Sequence, residues 1–176
     1  MERFTIQKTL ASLALFIALG TVAVFVPAGP VDDHDEETQA SFSNHSIRGT
    51  YGFVVDGVVV NHNAGTNTHA VSIGRFIADG EGNISDGVRT LNSGGDVQNQ
   101  TFTGTYTVYS NGTGSVRIQV STLGVDGIPV PSSIETGSIV IVRPGDRFEI
   151  IGTRIRGPAG EDLNLGLVTR GLARRQ

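Results

Sequence analysis

The sequence predicts an all-β domain, an eight-stranded antiparallel up-and-down barrel, preceded by an N-terminal hydrophobic leader helix. Three observations carry this. Val97–Val120 alternates strictly: Phe102, Gly104, Tyr106 and Val108 against Thr101, Thr103, Thr105 and Thr107, then Val116, Ile118 and Val120 against Arg117 and Gln119. Between the two runs lies Ser110-Asn111-Gly112-Thr113-Gly114, and period-2 alternation on both sides of Asn-Gly is a strong hairpin signal. Second, the rest of the chain repeats this unit. Third, helical periodicity is absent after the leader, where no 11-residue window places apolar residues at i, i+3, i+4 and i+7 without intervening turn glycines.

The eight strand candidates are Arg48–Val60, Ala70–Asp79, Ile84–Leu91, Val97–Tyr109, Ser115–Thr122, Ile134–Val142, Arg147–Arg156 and Asp162–Thr169. Links of hairpin length suit a meander, and closure removes the exposed edges of an open sheet. A two-sheet sandwich is the other arrangement that the strand count allows. The links Gly80–Asn83, Ser110–Gly114 and Arg143–Asp146 are short. Asn61–His69, Asn92–Asp96, Leu123–Ser133 and Gly157–Glu161 are longer. Alternate links of a meander share an end, so the long loops are expected at one mouth, where barrels and loops hold ligands.

The faces are uneven. Ile139-Val140-Ile141-Val142, in the sixth candidate, is apolar on both sides, as a strand covered by a second subunit or by the linker would be, or as tolerated β-branched surface. Phe53, Phe76, Phe102, Tyr106 and Phe148 are the bulky inward candidates, either as core or as the lining of a ligand site.

Before the barrel, Arg3 and Lys8 precede the uncharged run Leu10–Val26, and Val26-Pro27-Ala28 suits a cut after Ala28. Residues 1–28 therefore read as a signal peptide, or as an N-terminal anchor if uncleaved, since an uncharged, mostly apolar run of 17 residues lies at the lower limit for a span. Either way the domain is expected outside the cytoplasm: periplasmic, secreted or at the cell surface. Residues 29–46, with Asp32, Asp33, Asp35, Glu36 and Glu37, read as an acidic disordered linker. The barrel domain is expected over 47–170, and 171–176 as a basic tail carrying Arg174 and Arg175.

Composition excludes several chemistries. With no cysteine there is no disulfide, thiolate nucleophile or cysteine-bound metal. A net charge of −4 with scattered arginines argues against nucleic acid. No G-x-S-x-G, P-loop or zinc signature is present, so neither a cofactor nor a catalytic set is expected. His45, His62 and His69 do not converge in sequence as metal ligands do. Asp79-Gly80-Glu81-Gly82-Asn83 echoes a calcium loop but lacks its sixth-position glycine and distal glutamate, and reads as a hairpin turn. Asp146, Glu149, Glu161 and Asp162 read as solvated strand-end acids rather than an acid and base pair.

Ser46–Gly57 (SIRGTYGFVVDG), Ile73–Asp86 (IGRFIADGEGNISD) and Thr101–Gly114 (TFTGTYTVYSNGTG) resemble a group of small exported bacterial proteins of unassigned function. Those carry a G-x-Y-x-F opening, a G-x-F-x-x-D-G-x-G-N-x-S hairpin and an F-T-G-T-Y-x-V hairpin. The resemblance implies a calycin-like (lipocalin-like) barrel or one similar to allene oxide cyclase. It carries no catalytic residue with it, and lipocalins open on G-x-W, whereas this chain has no tryptophan. The expectation is an exported, non-enzymatic barrel that binds a small apolar ligand or a surface partner at its long-loop end. The alternatives are a filled, homo-oligomeric envelope module and a barrel isomerase. Membrane contact is expected only through an uncleaved leader.

Overall fold

The computed structural model describes residues 41–176. The leader over 1–28, its expected helix, and the acidic linker through residue 40 lie outside the described residues. After a 3₁₀ turn at Asn44–Ser46 come β1 (Arg48–Asn61), β2 (Thr66–Asp79), β3 (Asn83–Ser93), β4 (Asp96–Val108), β5 (Thr113–Leu123), β6 (Pro129–Arg143), β7 (Arg147–Arg156) and β8 (Leu165–Arg175). Each strand pairs antiparallel with the next, and β8 pairs back on β1 from Tyr51↔Arg175 to Asn61↔Leu165. The result is a closed up-and-down barrel, not a two-sheet sandwich.

Several boundaries move. Residues 171–176, expected as a tail, form the end of β8 and the terminal glutamine: Gly171–Arg175 pair with Tyr51–Val55, and the Gln176 N–H donates to the Thr50 carbonyl at 3.0 Å. The strand therefore starts at Leu165 rather than at Asp162 and runs six residues past Thr169. Alternating Leu165, Leu167, Thr169, Gly171 and Ala173 face inward, and charge on the opposite face of a strand is compatible with pairing. At the other terminus, Phe42 packs against the core and Ile47 is buried, so 41–46 belong to the barrel rather than to a disordered linker.

Three of the four long loops shrink because the flanking strands continue into them. The β1–β2 ladder reaches Asn61↔Thr66, leaving only His62–Gly65. There the Asn61 side-chain oxygen accepts the N–H groups of Asn63 and Ala64, an Asx turn that polar composition disguises as a loop. The β3–β4 link is Gly94-Gly95, both at positive φ, as a two-residue hairpin requires. Residues 129–133 of β6 pair with β5 alone, because β7 joins only at Ile134↔Arg156. Pro129 and Pro131 are accommodated on that free side. Gly157–Asn164 remains the one long connection among the described residues. On β6, Ile139 and Ile141 face inward, whereas Val140 is 52% exposed and nothing among the described residues covers it.

The core lies toward the end that carries the β2–β3, β4–β5 and β6–β7 turns. Phe76 is its hub, with ring centroids 5.7 Å from Tyr51, 5.9 Å from Phe53, 6.2 Å from Phe102 and 6.3 Å from Phe148. The Tyr106 hydroxyl closes that end. It donates to the Ile47 carbonyl at 2.6 Å and accepts the Gly80 N–H at 3.0 Å, tying the N-terminal segment to the β2–β3 turn. Asn44 adds a second tie: its side-chain oxygen accepts the Val108 N–H at 2.7 Å and its amide donates to the Glu81 carbonyl at 3.1 Å. Tyr51 differs. Its ring is fully buried, yet its hydroxyl has no hydrogen-bond partner among the described residues.

Two predictions follow from this contrast and from the β2–β3 turn. Tyr106→Phe orphans buried groups and should cost about 1–3 kcal/mol, whereas Tyr51→Phe removes an unpaired hydroxyl and should be neutral or stabilising by about 1 kcal/mol. Urea unfolding of both variants checks this, and equal losses would refute it. At the turn, the Asp79 carboxylate accepts the N–H groups of Glu81 at 2.7 Å, Gly82 at 3.0 Å and Asn83 at 2.9 Å. These bonds, that of Asn83 first, pull its pKa from 3.8 down to about 2. A carboxyl depressed in the fold stabilises fully above its unfolded pKa and loses that contribution as pH falls toward its folded one. Urea midpoints should therefore drop between about pH 4 and pH 2, and Asp79→Asn should flatten that part of the profile.

Candidate functional site

The lumen is filled at one end and hollow toward the other. A cavity of about 300 Å³ rests on the aromatic cluster and reaches Val59, Ser93, Ile155 and Leu167, beside the rim that carries the β1–β2, β3–β4 and β7–β8 connections. Phe53, Phe76, Phe102, Tyr106 and Phe148 all line it, as a buried floor. The alternation of β1, β2, β4 and β7 places them there: each occupies an inward position of its strand, and every neighbouring ring pair meets tilted or edge-on. Val55, Ala70, Leu91, Ile118 and Ile150 continue the apolar wall.

Beside the hydroxyl residues Ser72, Ser93, Thr136 and Thr169, one charged pair interrupts that wall. Arg89 of β3 reaches across the lumen to Glu135 of β6, with β4 and β5 between them in the barrel order. The contact is bidentate: Nη1 donates to Oε2 at 2.8 Å, and Nη2 donates to Oε1 at 2.5 Å. The Arg89 side chain is 8% exposed and that of Glu135 is 21% exposed, so water screens the pair weakly. Arg89 Nε also donates to the Gln100 side-chain oxygen at 2.7 Å. The Gln100 amide in turn donates to Gln98 at 3.1 Å and to the Thr122 hydroxyl at 3.2 Å. Four strands thus converge on one hydrogen-bonded network, of which Arg89 and Glu135 line the cavity.

The expectations from sequence omitted this network, and a β-bulge explains why. Counted from Ile84, strict alternation would send Asp86 and Val88 inward and Arg89 to solvent. Asp86 takes φ +50° and the register with β4 shifts between Ile84 and Gly87, so Gly87, Arg89 and Leu91 face the lumen instead. Glycine is needed at 87: a Cβ there would lie 2.5 Å from the Phe102 ring. Asp-Gly inside a strand is the signal that marks such a site. Glu135 was accessible by counting back in twos from Ile139 through Gly137.

The other titratable candidates do not gather. His69 pairs with Asp56 at 2.8 Å on the outer surface, and His62 stands at the rim near Gly166. Asp146 faces Arg143 and Arg174 at 3.5 and 3.8 Å, and Glu149 lies 3.7 Å from Arg147. Glu161 and Asp162 accept N–H groups of the β7–β8 connection. The carboxylate of Asp79 is committed to its own turn. Among the described residues no three His, Cys, Asp or Glu side chains stand close enough together to hold a metal.

No family model, curated protein or solved structure matches this chain. The expected likeness is therefore one of shape: an eight-stranded, antiparallel closed barrel consistent with a calycin-like one. Group membership, ligand and activity do not follow from shape.

The geometry of the ion pair makes a prediction. Removing one partner leaves a charge in a low-dielectric lumen, so Arg89→Met or Glu135→Leu alone should each cost about 3–5 kcal/mol. The double change Arg89→Met/Glu135→Leu should recover most of that loss. A double-mutant cycle by urea unfolding checks this. Single losses under about 1 kcal/mol would mean that the pair behaves like a surface bridge.

Proposed function

We propose that this protein is an exported, non-enzymatic barrel that holds one small, mostly apolar ligand in its lumen, admitted at the rim farthest from the aromatic floor. The observation that carries the reading is the cavity of about 300 Å³ above that floor. Its volume meets the lower bound of ligand sites, which are mostly apolar with a few placed polar groups. A barrel selected only as a filled envelope module gains nothing from such a space, since each void forfeits packing. Export rests on the leader over residues 1–28 and places the ligand in the periplasm, the medium or the cell surface. A second reading, a barrel isomerase, draws on the Arg89–Glu135 pair, because a charged pair inside a mostly apolar cavity is of the kind that steers reactive substrates.

Titration of the full chain with N-phenyl-1-naphthylamine tests the carrier reading. Saturable, displaceable binding is expected. Ser72 is a buried lumen residue flanked by Val55 and Leu91, and Ser72→Phe should weaken binding by at least about tenfold while the circular dichroism of the barrel persists. Equal binding by the two proteins would place the probe elsewhere, on the leader for instance. A wild-type chain that binds no probe would end the reading.

A further inference from the structure

We infer that the Arg89–Glu135–Gln100 network is a head-group site, and that it selects an uncharged amphiphile bearing an oxygen acceptor over a carboxylate of the same chain length. This rests on the proposed lumenal binding and adds the class of ligand. The charge of the network is already balanced. Glu135 engages the guanidinium through both oxygens, and Arg89 Nε is taken by Gln100. A fatty carboxylate entering the cavity would set a second anion against one cation, in a space whose walls otherwise carry no charge, only apolar residues and the hydroxyl residues Ser72, Ser93, Thr136 and Thr169. Burial of an unpaired charge is strongly unfavourable.

A neutral ligand meets no such penalty and finds a donor. A guanidinium has five N–H groups, and three of those on Arg89 have partners among the described residues. Both amide hydrogens of Gln100 are engaged as well. Two N–H groups of Arg89 are thus left for an acceptor, on a side chain 8% exposed that lines the cavity. The network lies one inward-facing step nearer the open rim than Phe102, since Arg89 pairs with Gln100 and Gly87 with Phe102. An alkyl chain can therefore lie against the apolar wall with its hydroxyl, carbonyl or ester oxygen at Arg89.

The test is displacement of N-phenyl-1-naphthylamine from the full chain by octanol, octanoate and nonane at neutral pH. The wild type should take octanol over octanoate by at least about tenfold. Because any apolar cavity disfavours an anion, the deciding measurement is the change on substitution. Glu135→Gln removes the compensating carboxylate, so the octanoate-to-octanol affinity ratio should rise by at least about tenfold. An unchanged ratio overturns the inference. If Glu135→Gln does not fold, Arg89→Met/Glu135→Met decides: losing the donor should lower the octanol-to-nonane ratio by about tenfold, and an unchanged ratio overturns the inference. Probe binding without head-group dependence would leave the carrier reading standing and sink this one. A wild type that binds no probe sinks both.

Discussion

Once β1 pairs with β8, no edge strand remains, and every second residue of eight strands is committed to a lumen whose width is set by strand number. That width suits side chains that nearly meet at the axis, so what fills the lumen is decided by which residue types fall at which depth. Phe53, Phe76, Phe102 and Phe148 fall at neighbouring depths, and their rings close the barrel at 5.9–6.3 Å centroid spacing. Nearer the opposite rim the inward positions hold no aromatic ring: Val59, Leu91, Ile155 and Leu167 alternate there with the small Ala70, Ser72 and Ser93. The hollow is a consequence of side-chain volume along the axis, not of any loop.

The aromatic end needs a cover as well as a filling. The turns there are too short to span the barrel, and the segment Phe42–Ile47 does so instead, fixed by the Tyr106 hydroxyl and by Asn44. Polar side chains rather than apolar area make this closure specific. The Tyr106 bonds go to buried backbone groups of Ile47 and Gly80, and leaving such a group unpaired costs more than the average bond contributes. The same logic makes the Asp79 turn self-contained: one carboxylate oxygen serves three N–H groups and the Asn83 amide donates to the other.

How much of this was legible depended on whether local pattern and burial agreed. In β4 and β5 the alternation of Phe102, Gly104 and Tyr106 with threonines marks both strand and face, because one side meets the core and the other meets water. Strand ends were less legible where polar residues stay in the ladder. Thr66–His69 and Gly171–Arg175 look like loop and tail, yet both stay in the ladder with β1 whatever their outward side chains are. The aromatic floor could be read because large inward residues have nowhere else to go. The ion pair could not be read from alternation alone, since one inserted residue at Asp86 exchanges the two faces of everything after it.

That exchange matters because stability alone gives no reason for it. A buried, bidentate ion pair seldom outweighs well-packed apolar residues of the same volume, and continuing the alternation without a bulge would have put Val88 in the lumen instead of Arg89. The chain instead accepts a positive φ at Asp86, a glycine at 87 and two largely desolvated charges, pairs the charges with each other, and adds Gln100 to Arg89, itself held by Gln98 and Thr122. A network held from four strands is rigid, and rigidity fixes where its free donors point. Within the proposed carrier this makes the charged pair a built feature of the cavity, placed between the aromatic floor and the rim, where a long molecule with one oxygen meets both floor and pair.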